Sequence, residues 1–415
     1  MQNVQISIGS KKIKTCVSLP ASKSLSNRLL IIRALCEDGF DIENLSDADD
    51  TKILEQCLQN INDYRIFSVH DAGTALRFLT AVFTITHGNR MLTGTPRLLE
   101  RPVGPLVDAL NRLGAKVHYF EKKGFPPLVI NGSEIRGGKI SVDAGMSSQF
   151  ISALLLIAPA LPEGLEISLK NAVASAPYIR MTLGLMNYFG VDTEWNDELI
   201  IIKPQKYKAK NFTVEADWSA AAFWYEIAAL AEDAEIELTG LNEPSLQGDA
   251  VVADVFSKLG VQTTIFPNSI KLTKCPVESG LLELDFFENP DLFPAVIATC
   301  AALGTSCRFT GLQNLALKES DRLTAMLTEL EKFGYHFRRD AAGTLISEKN
   351  IQPKITQTVN CNSYNDHRIA MALSPLSLKG FTVELDNASC VAKSYPAYFE
   401  DIKNAGFITS FSENA

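Results

Sequence analysis

Long apolar runs are missing from this chain. Its most apolar stretch, FISALLLIAPAL from Phe150 to Leu161, is too short for the ~20 residues that cross a bilayer, and the opening MQNVQISIGSKKIKTC lacks the apolar core of a secretory leader. A soluble, cytoplasmic protein is expected. The eight cysteines include no Cys-x-x-Cys pair, which argues for reduced thiols and against a disulfide frame. Metal-ligand spacing is absent from the cysteines, and the five histidines are dispersed. Neither GxxxxGK[ST] nor GxGxxG occurs, so nothing supports nucleotide chemistry of the P-loop or Rossmann kind. Positive charge is also in deficit: 39 basic residues against 48 acidic ones leave a net charge of −9. That balance repels nucleic acid and anionic lipid, so any anion site must be a local feature.

What the chain does contain is a repeat. Amphipathic segments that end at a glycine and run into a strand recur as LVDALNRLGAKVHYF, LGLMNYFGVDTEW, VVADVFSKLGVQTTI, MLTELEKFGYHFRR and YFEDIKNAGFITSF. Their glycines, Gly114, Gly190, Gly260, Gly334 and Gly406, lie 76, 70, 74 and 72 residues apart and read as helix stops. A sixth helix, TKILEQCLQNI, lacks the glycine. Interleaved with these are six segments that are apolar nearly all round, such as GTALRFLTAVF, SAAAFWYEIAALA and FPAVIATCAAL, the mark of helices inside a core. Strand, buried helix, strand, surface helix and strand thus repeat six times. At 415 residues the chain exceeds one core, so two domains of three repeats are expected: 21–214, and 1–20 with 215–415. No low-complexity linker separates them, which argues for a hinge of one or two strands.

Nine cations, Lys23, Arg28, Arg77, Arg97, Arg101, Lys318, Arg322, Arg368 and Lys393, fall at or within about a turn of expected helix N-termini. Taken singly, each would reach solvent or pair with a nearby acid. Nine at corresponding places of a repeat, where the helix dipole is already positive, point to ligands carrying phosphate and carboxylate. The segment LALKESDR sets Lys318 and Glu319 side by side, either as surface ion pairs or as an acid/base pair in an anion cleft.

The segments PASKSLSNR, DAGTALR, RLLERPVGPLVDAL, SSQF, ASAPYI, NLALKESDR, YNDHRIAM and CVAKSYPAYF resemble, in order and over nearly the whole chain, the signature segments of the 5-enolpyruvylshikimate-3-phosphate synthase family. The resemblance implies an inside-out α/β barrel in two lobes, each of three βαβαββ units with buried helices, and an active site between the lobes. It also implies transfer of the enolpyruvyl group of phosphoenolpyruvate to the 5-hydroxyl of shikimate 3-phosphate, without metal or organic cofactor, by a monomer that takes small anionic substrates. By matching segments, shikimate 3-phosphate would be held by Lys23, Ser24, Arg28, Ser147, Ser148, Gln149, Ser175, Tyr178, Asp291, Asn314 and Lys318. Phosphoenolpyruvate would lie against Lys23, Asp71, Gly73, Arg101, Gln149, Arg322, Arg368 and Lys393. Lys23, Asp291, Lys318 and Glu319 would be catalytic, Asp291 taking the hydroxyl proton and Glu319 protonating the methylene carbon. Glyphosate would compete with phosphoenolpyruvate.

Four departures from the family pattern stand out. Asp71 replaces the usual Asn, Ala21 the usual Gly, and Ala176 the usual Lys or Arg, while NINDYRIFSVH before DAGT is short enough to have lost a strand or hairpin. The related UDP-N-acetylglucosamine enolpyruvyl transferases carry a reactive Cys in the loop that here reads GTPRLLERPVG, and no Cys lies between Cys57 and Cys275. A noncatalytic anion-binding or RNA-end-binding relative is the other alternative. The acidic pI, near 5.3, and the intact charged groups argue against it.

Overall fold

The computed structural model describes residues 2–196, 198–347 and 358–413. The chain divides into two compact units, Ser22–Val214 and Met1–Ala21 with Glu215–Ala415. It passes between them twice, and the two crossing segments are joined by a bridge between Ala21 and Ala216 and by the Asp217 N–H donating to the Pro20 carbonyl at 2.9 Å.

Among the described residues, five four-stranded sheets share one plan. In Ser22–Val214, Ile66–Ser68 pairs in parallel with Gly88–Thr93, which pairs antiparallel with Leu128–Gly132 and through it with Lys116–Tyr119. Gly138–Asp143, Leu165–Lys170, Leu199–Ile202 and Thr193–Asn196 repeat that order. In the other unit the plan recurs three times, twice completed by the N-terminal segment. Lys12–Ser18 supplies the first strand beside Asp233–Thr239, and Gln2–Ile8 lies between Thr382–Leu385 and Phe407–Glu413. Strands such as Leu165–Lys170 alternate buried and outward side chains, so each sheet has one face on a core.

The buried helices form those cores. Lys23–Leu35, Gly73–Ile85 and Ser148–Ile157 pack on one another in one unit, and Trp218–Leu230, Phe293–Leu303 and His367–Leu373 in the other. All thirteen residues of Trp218–Leu230 are buried. Sheets lie around helices, which is the inside-out arrangement. All five repeat-closing glycines adopt positive φ, from +77° to +103°, as left-handed helix stops.

The first repeat is shorter than the others. Its sheet is only Phe212–Thr213 beside Ile42–Glu43, and no hairpin follows its surface helix Asp49–Gln59. Six residues, 60–65, separate that helix from the strand Ile66–Ser68, too few for two strands and their turns. The trimmed segment recognised in the sequence is this missing hairpin. One correction concerns RIAMALSPLSL, where the helix His367–Leu373 gives way to a 3-10 turn, Ser374–Lys379, because Pro375 cannot continue the ladder of N–H donors.

Candidate active site

In Ser22–Val214, the Ser22 hydroxyl caps the helix that begins at Lys23. Lys23 Nζ lies 3.2 Å from Asp50 Oδ2, with both side chains largely buried. The cation at the positive helix end is thus balanced by an acid that the sequence reading did not single out. One helical turn on, Arg28 is 2% exposed. Its guanidinium lies 5.6 Å from the Phe78 ring centre and 5.8 Å from that of Tyr178. It donates to the Ser24 and Tyr178 carbonyls at 2.8 and 3.1 Å and to the Thr182 and Ser152 hydroxyls at 2.8 and 3.3 Å. Every one of these acceptors is neutral. Burial pushes its pKa down to about 10, so Arg28 remains cationic at neutral pH and holds a buried positive charge suited to an anion.

The remaining groups in this unit come from neighbouring helix starts. Ser147 caps Ser148–Ile157 and Gln149 reaches the Thr74 hydroxyl at 3.3 Å. Ser175, ahead of Ala176–Tyr188, is held at φ 54°, a conformation uncommon for a residue with a side chain. Gly73 opens its helix directly beneath Arg101, so that a Cβ there would fall 2.5 Å from the Arg101 guanidinium. Arg77, donating to the Gly73 and Pro102 carbonyls at 3.0 and 2.8 Å, fixes the two segments together. The Asp71 carboxylate accepts from the hydroxyl of Thr95, the cap of the short helix Pro96–Leu99.

In the other unit one corner gathers most of the expected residues. Asp291 does not cap a helix. Its carboxylate meets Arg322 at 2.8 Å, Arg368 at 3.0 Å and Lys318 at 3.4 Å. Burial works against its ionisation, yet Arg368, Lys318 and Arg322 together hold it well below the usual carboxylate range. Arg322, 1% exposed, also donates to Glu319 at 2.6 Å and to Asp366 at 2.9 Å. Burial disfavours its charge, but Asp366, Glu319 and Asp291 outweigh that and raise its pKa.

Asp366 was not among the expected site residues, although it does the most linking. It accepts from the Ser320 hydroxyl and the Arg368 N–H, each at 3.0 Å, and so joins LALKESDR to the start of His367–Leu373. Its signal in NDHR is that of an ordinary helix cap, which it also is. Asp249 was missed as well: it accepts from Ser219 and, at 3.1 Å, from Asn289, two residues before Asp291. Burial, together with the charge of Asp291, pushes the Asp249 pKa up. Two further expected residues have these places. Lys393 donates to the Asn365 carbonyl at 3.2 Å, and Asn314 sits in the 3-10 turn Gln313–Leu317 just ahead of Lys318. His367 is buried, with Nδ1 3.8 Å from Asp366.

The family model described as EPSP synthase (3-phosphoshikimate 1-carboxyvinyltransferase) matches residues 8–66 and 63–402, its two stretches meeting where the first repeat lacks its hairpin. A 3-phosphoshikimate 1-carboxyvinyltransferase of Bacteroides fragilis (strain YCH46) is 44% identical over 95% of this chain and 96% of its own length. One from Sulfurovum sp. (strain NBC37-1) is 34% identical over 94% and 96%. Among solved structures, EPSP synthase from Acinetobacter baumannii superposes with a TM-score of 0.78 at 22% identity, covering 100% of both chains. The enolpyruvyl transferase NikO from Streptomyces tendae gives 0.73 at 16% identity, covering 100% of this chain and 99% of its own. With a family model spanning nearly all of it and relatives this similar along their whole lengths, the chain belongs to the EPSP synthase family.

Proposed function

We infer that the chain transfers the enolpyruvyl group of phosphoenolpyruvate to the 5-hydroxyl of shikimate 3-phosphate and releases phosphate, and that the residues grouped above carry it. The observation that bears most weight is the convergence of Asp291, Lys318, Glu319, Arg322 and Arg368 in one corner, an acid and base set among cations. Two anionic reactants need such cations to offset their mutual repulsion.

Within this reading Lys23, Ser24, Arg28, Ser147, Ser148, Gln149, Ser175 and Tyr178 form the part of the shikimate 3-phosphate set carried by Ser22–Val214. The buried charge of Arg28 supports its assignment to an anionic group of that ligand. Asp291, Asn314 and Lys318 belong to the same set in the other unit. Phosphoenolpyruvate is assigned to Lys23, Gly73, Arg101 and Gln149 on the one side and to Arg322, Arg368 and Lys393 on the other, with Asp71 near the first group. Asp291 accepts the proton of the attacking hydroxyl as the new C–O bond forms at the phosphate-bearing carbon. Glu319 delivers a proton to the methylene carbon. Loss of phosphate, which carries off the proton held by Asp291, and return of the methyl proton to Glu319 restore the double bond and both carboxyl groups. A carboxylate held as low as that of Asp291 is a weak base until the phosphate and carboxylate of the ligand draw off some of the charge of Arg368, Lys318 and Arg322. Deprotonation is thereby tied to occupancy.

The test is phosphate release from phosphoenolpyruvate with shikimate 3-phosphate present or absent. Release only in its presence is expected; release with a UDP-sugar in its place would overturn the reading. Asp291→Asn should retain shikimate 3-phosphate binding and lose ~10²-fold or more in kcat. Turnover close to that of the wild type would remove Asp291 from the chemistry. The cytoplasm as location and a monomeric state are proposed with it; among the described residues no helix is long and apolar enough to cross a membrane.

A further inference from the structure

Just ahead of the helix His367–Leu373 two residues with side chains stand in the left-handed region one after the other, Tyr364 and Asn365, both at φ 53°. Asn tolerates that region better than most residues, whereas a tyrosine is rare there. Such a backbone persists only where its surroundings over-determine it. The turn 362–366 is held in this way, and one of its braces is a residue to which the functional reading gives no part.

Glu329 is fully buried on the helix Arg322–Lys332, two turns beyond Arg322 and on the same inward face. Its Oε1 accepts from the Tyr364 hydroxyl at 2.9 Å and its Oε2 from the Asn362 N–H at 3.1 Å. One carboxylate therefore spans the first half of the turn. Lys332 donates to the same Oε2 at 2.7 Å and to the Asn360 carbonyl at 3.1 Å, which fixes the carboxylate against the incoming strand Thr358–Cys361. Burial, with Glu329 beside it, pushes the Tyr364 hydroxyl up to about 12, so it remains a donor at neutral pH.

The second half of the turn faces the cations. Asp366 accepts from Arg322 Nε at 2.9 Å and from the Arg368 N–H at 3.0 Å, and the Asn365 carbonyl accepts from Lys393 at 3.2 Å. These are the three cations of this unit assigned above to phosphoenolpyruvate. On this side the turn is also tied to the segment that leads to Lys393, by the Ser363 N–H on Asp386 at 2.8 Å and by Asn387 on the Asn365 side chain at 3.2 Å. If Tyr364 relaxed to an ordinary φ, the peptides that follow it would reorient, and the Asn365 carbonyl and Asp366 with them.

We propose that Glu329 is a positioning residue for the phosphoenolpyruvate site, locking the turn 362–366 through Tyr364 and Asn362 so that Arg322, Arg368 and Lys393 stand ready for the anion. The proposal rests on the functional reading above and adds to it a group that acts without touching the ligand. Arg322 and Glu329 then work from one helix face on the two halves of one turn.

Two variants test the clamp. Tyr364→Phe removes one of its bonds at a ring that is 37% exposed, and Glu329→Met removes both acceptor oxygens at similar volume. Each should lower kcat/KM for phosphoenolpyruvate about tenfold, while the Kd of shikimate 3-phosphate alone, read by calorimetry, stays within about twofold. The double variant should be no worse than Glu329→Met, because the same clamp is lost only once. A merely structural Glu329 would lower Tm and weaken both ligands alike. That result would overturn the proposal, as would kcat/KM within about twofold of the wild type in either variant, or losses that multiply in the double variant. Should Glu329→Met not fold, Tyr364→Phe decides alone by the same comparison of the two ligands. Failure of the functional reading looks different, since the wild type itself would then release no phosphate from phosphoenolpyruvate with shikimate 3-phosphate present.

Discussion

At the scale of single residues, close approaches to guanidinium groups decide what can be substituted. Gly73 supports Arg101 with its bare Cα, and a methyl group there would stand 2.5 Å from a guanidinium nitrogen. The arginine would have to move before the ligand could feel the methyl. Gly73→Ala should therefore raise KM for phosphoenolpyruvate about tenfold or more with little effect on shikimate 3-phosphate binding, because a misplaced positioning group costs affinity only for what it positions. Glyphosate inhibition should weaken in parallel; unchanged kinetics for both would show that Arg101 is not used. Asp71 is the opposite case. Its carboxylate is engaged with the Thr95 hydroxyl, and Asn could accept the same hydrogen bond. Asp71→Asn should then leave kcat alone and improve KM for phosphoenolpyruvate by up to about threefold, through removal of one like charge. A tenfold loss in kcat/KM would mean that the charge itself is needed.

At the scale of elements, the buried helix Trp218–Leu230 carries an anomaly that periodicity does not reveal. Glu226 is fully buried, and neither of its carboxyl oxygens has a hydrogen-bond partner among the described residues. Burial pushes its pKa well above the ordinary value and so favours the neutral acid in the folded protein. The unfolded chain releases that proton near pH 4.3 and the folded chain only at higher pH. The stability associated with it is thus complete below that pH and declines as pH rises toward the raised folded value. Glu226→Gln should be more stable than the wild type near pH 8 and show a flatter dependence of Tm between about pH 5 and 8. Equal slopes would mean that an unseen partner compensates the acid. The apolar character of this helix was legible because a helix wrapped by others is apolar all round, and the glycine stops were legible because a left-handed turn is a local requirement. Asp50, Asp249 and Asp366 were not. Each looks like a cap or a surface acid in its own segment, while Asp366 finds Arg322 44 residues away and Asp249 finds Asn289 40 residues away. A pairing set by the packing of separate repeats leaves no local trace.

At the scale of the whole molecule, the repeats are unequal in strength. The first has two strands of two residues each where the others have four strands, so little backbone hydrogen bonding protects it. Amide exchange should be faster at Ile42–Glu43 and Phe212–Thr213 than in the complete sheets, by about tenfold or more. Protection equal to that of Leu165–Lys170 would show that packing of the buried helices, not the sheet, sets local stability. The shortened segment was visible in the sequence because it departs from the family pattern, whereas the pairing of Phe212–Thr213 with Ile42–Glu43 joins segments about 170 residues apart and was not.

The placement of Gln2–Ile8 has a bearing on how the chain is made. Ser22–Val214 is an unbroken stretch and can assemble while the ribosome is still working, since domains fold as units in order of emergence. Gln2–Ile8 cannot, because its two neighbours, Thr382–Leu385 and Phe407–Glu413, are translated some 375 to 400 residues later. At about 5–20 residues per second that is a wait of roughly 20–80 s. Throughout it Gln2–Ile8 is a β-forming segment with both edges open, the kind of surface on which nascent chains stick to one another. This fold therefore gives a long exposure to chaperones and to misassembly to a strand made well before both of its partners.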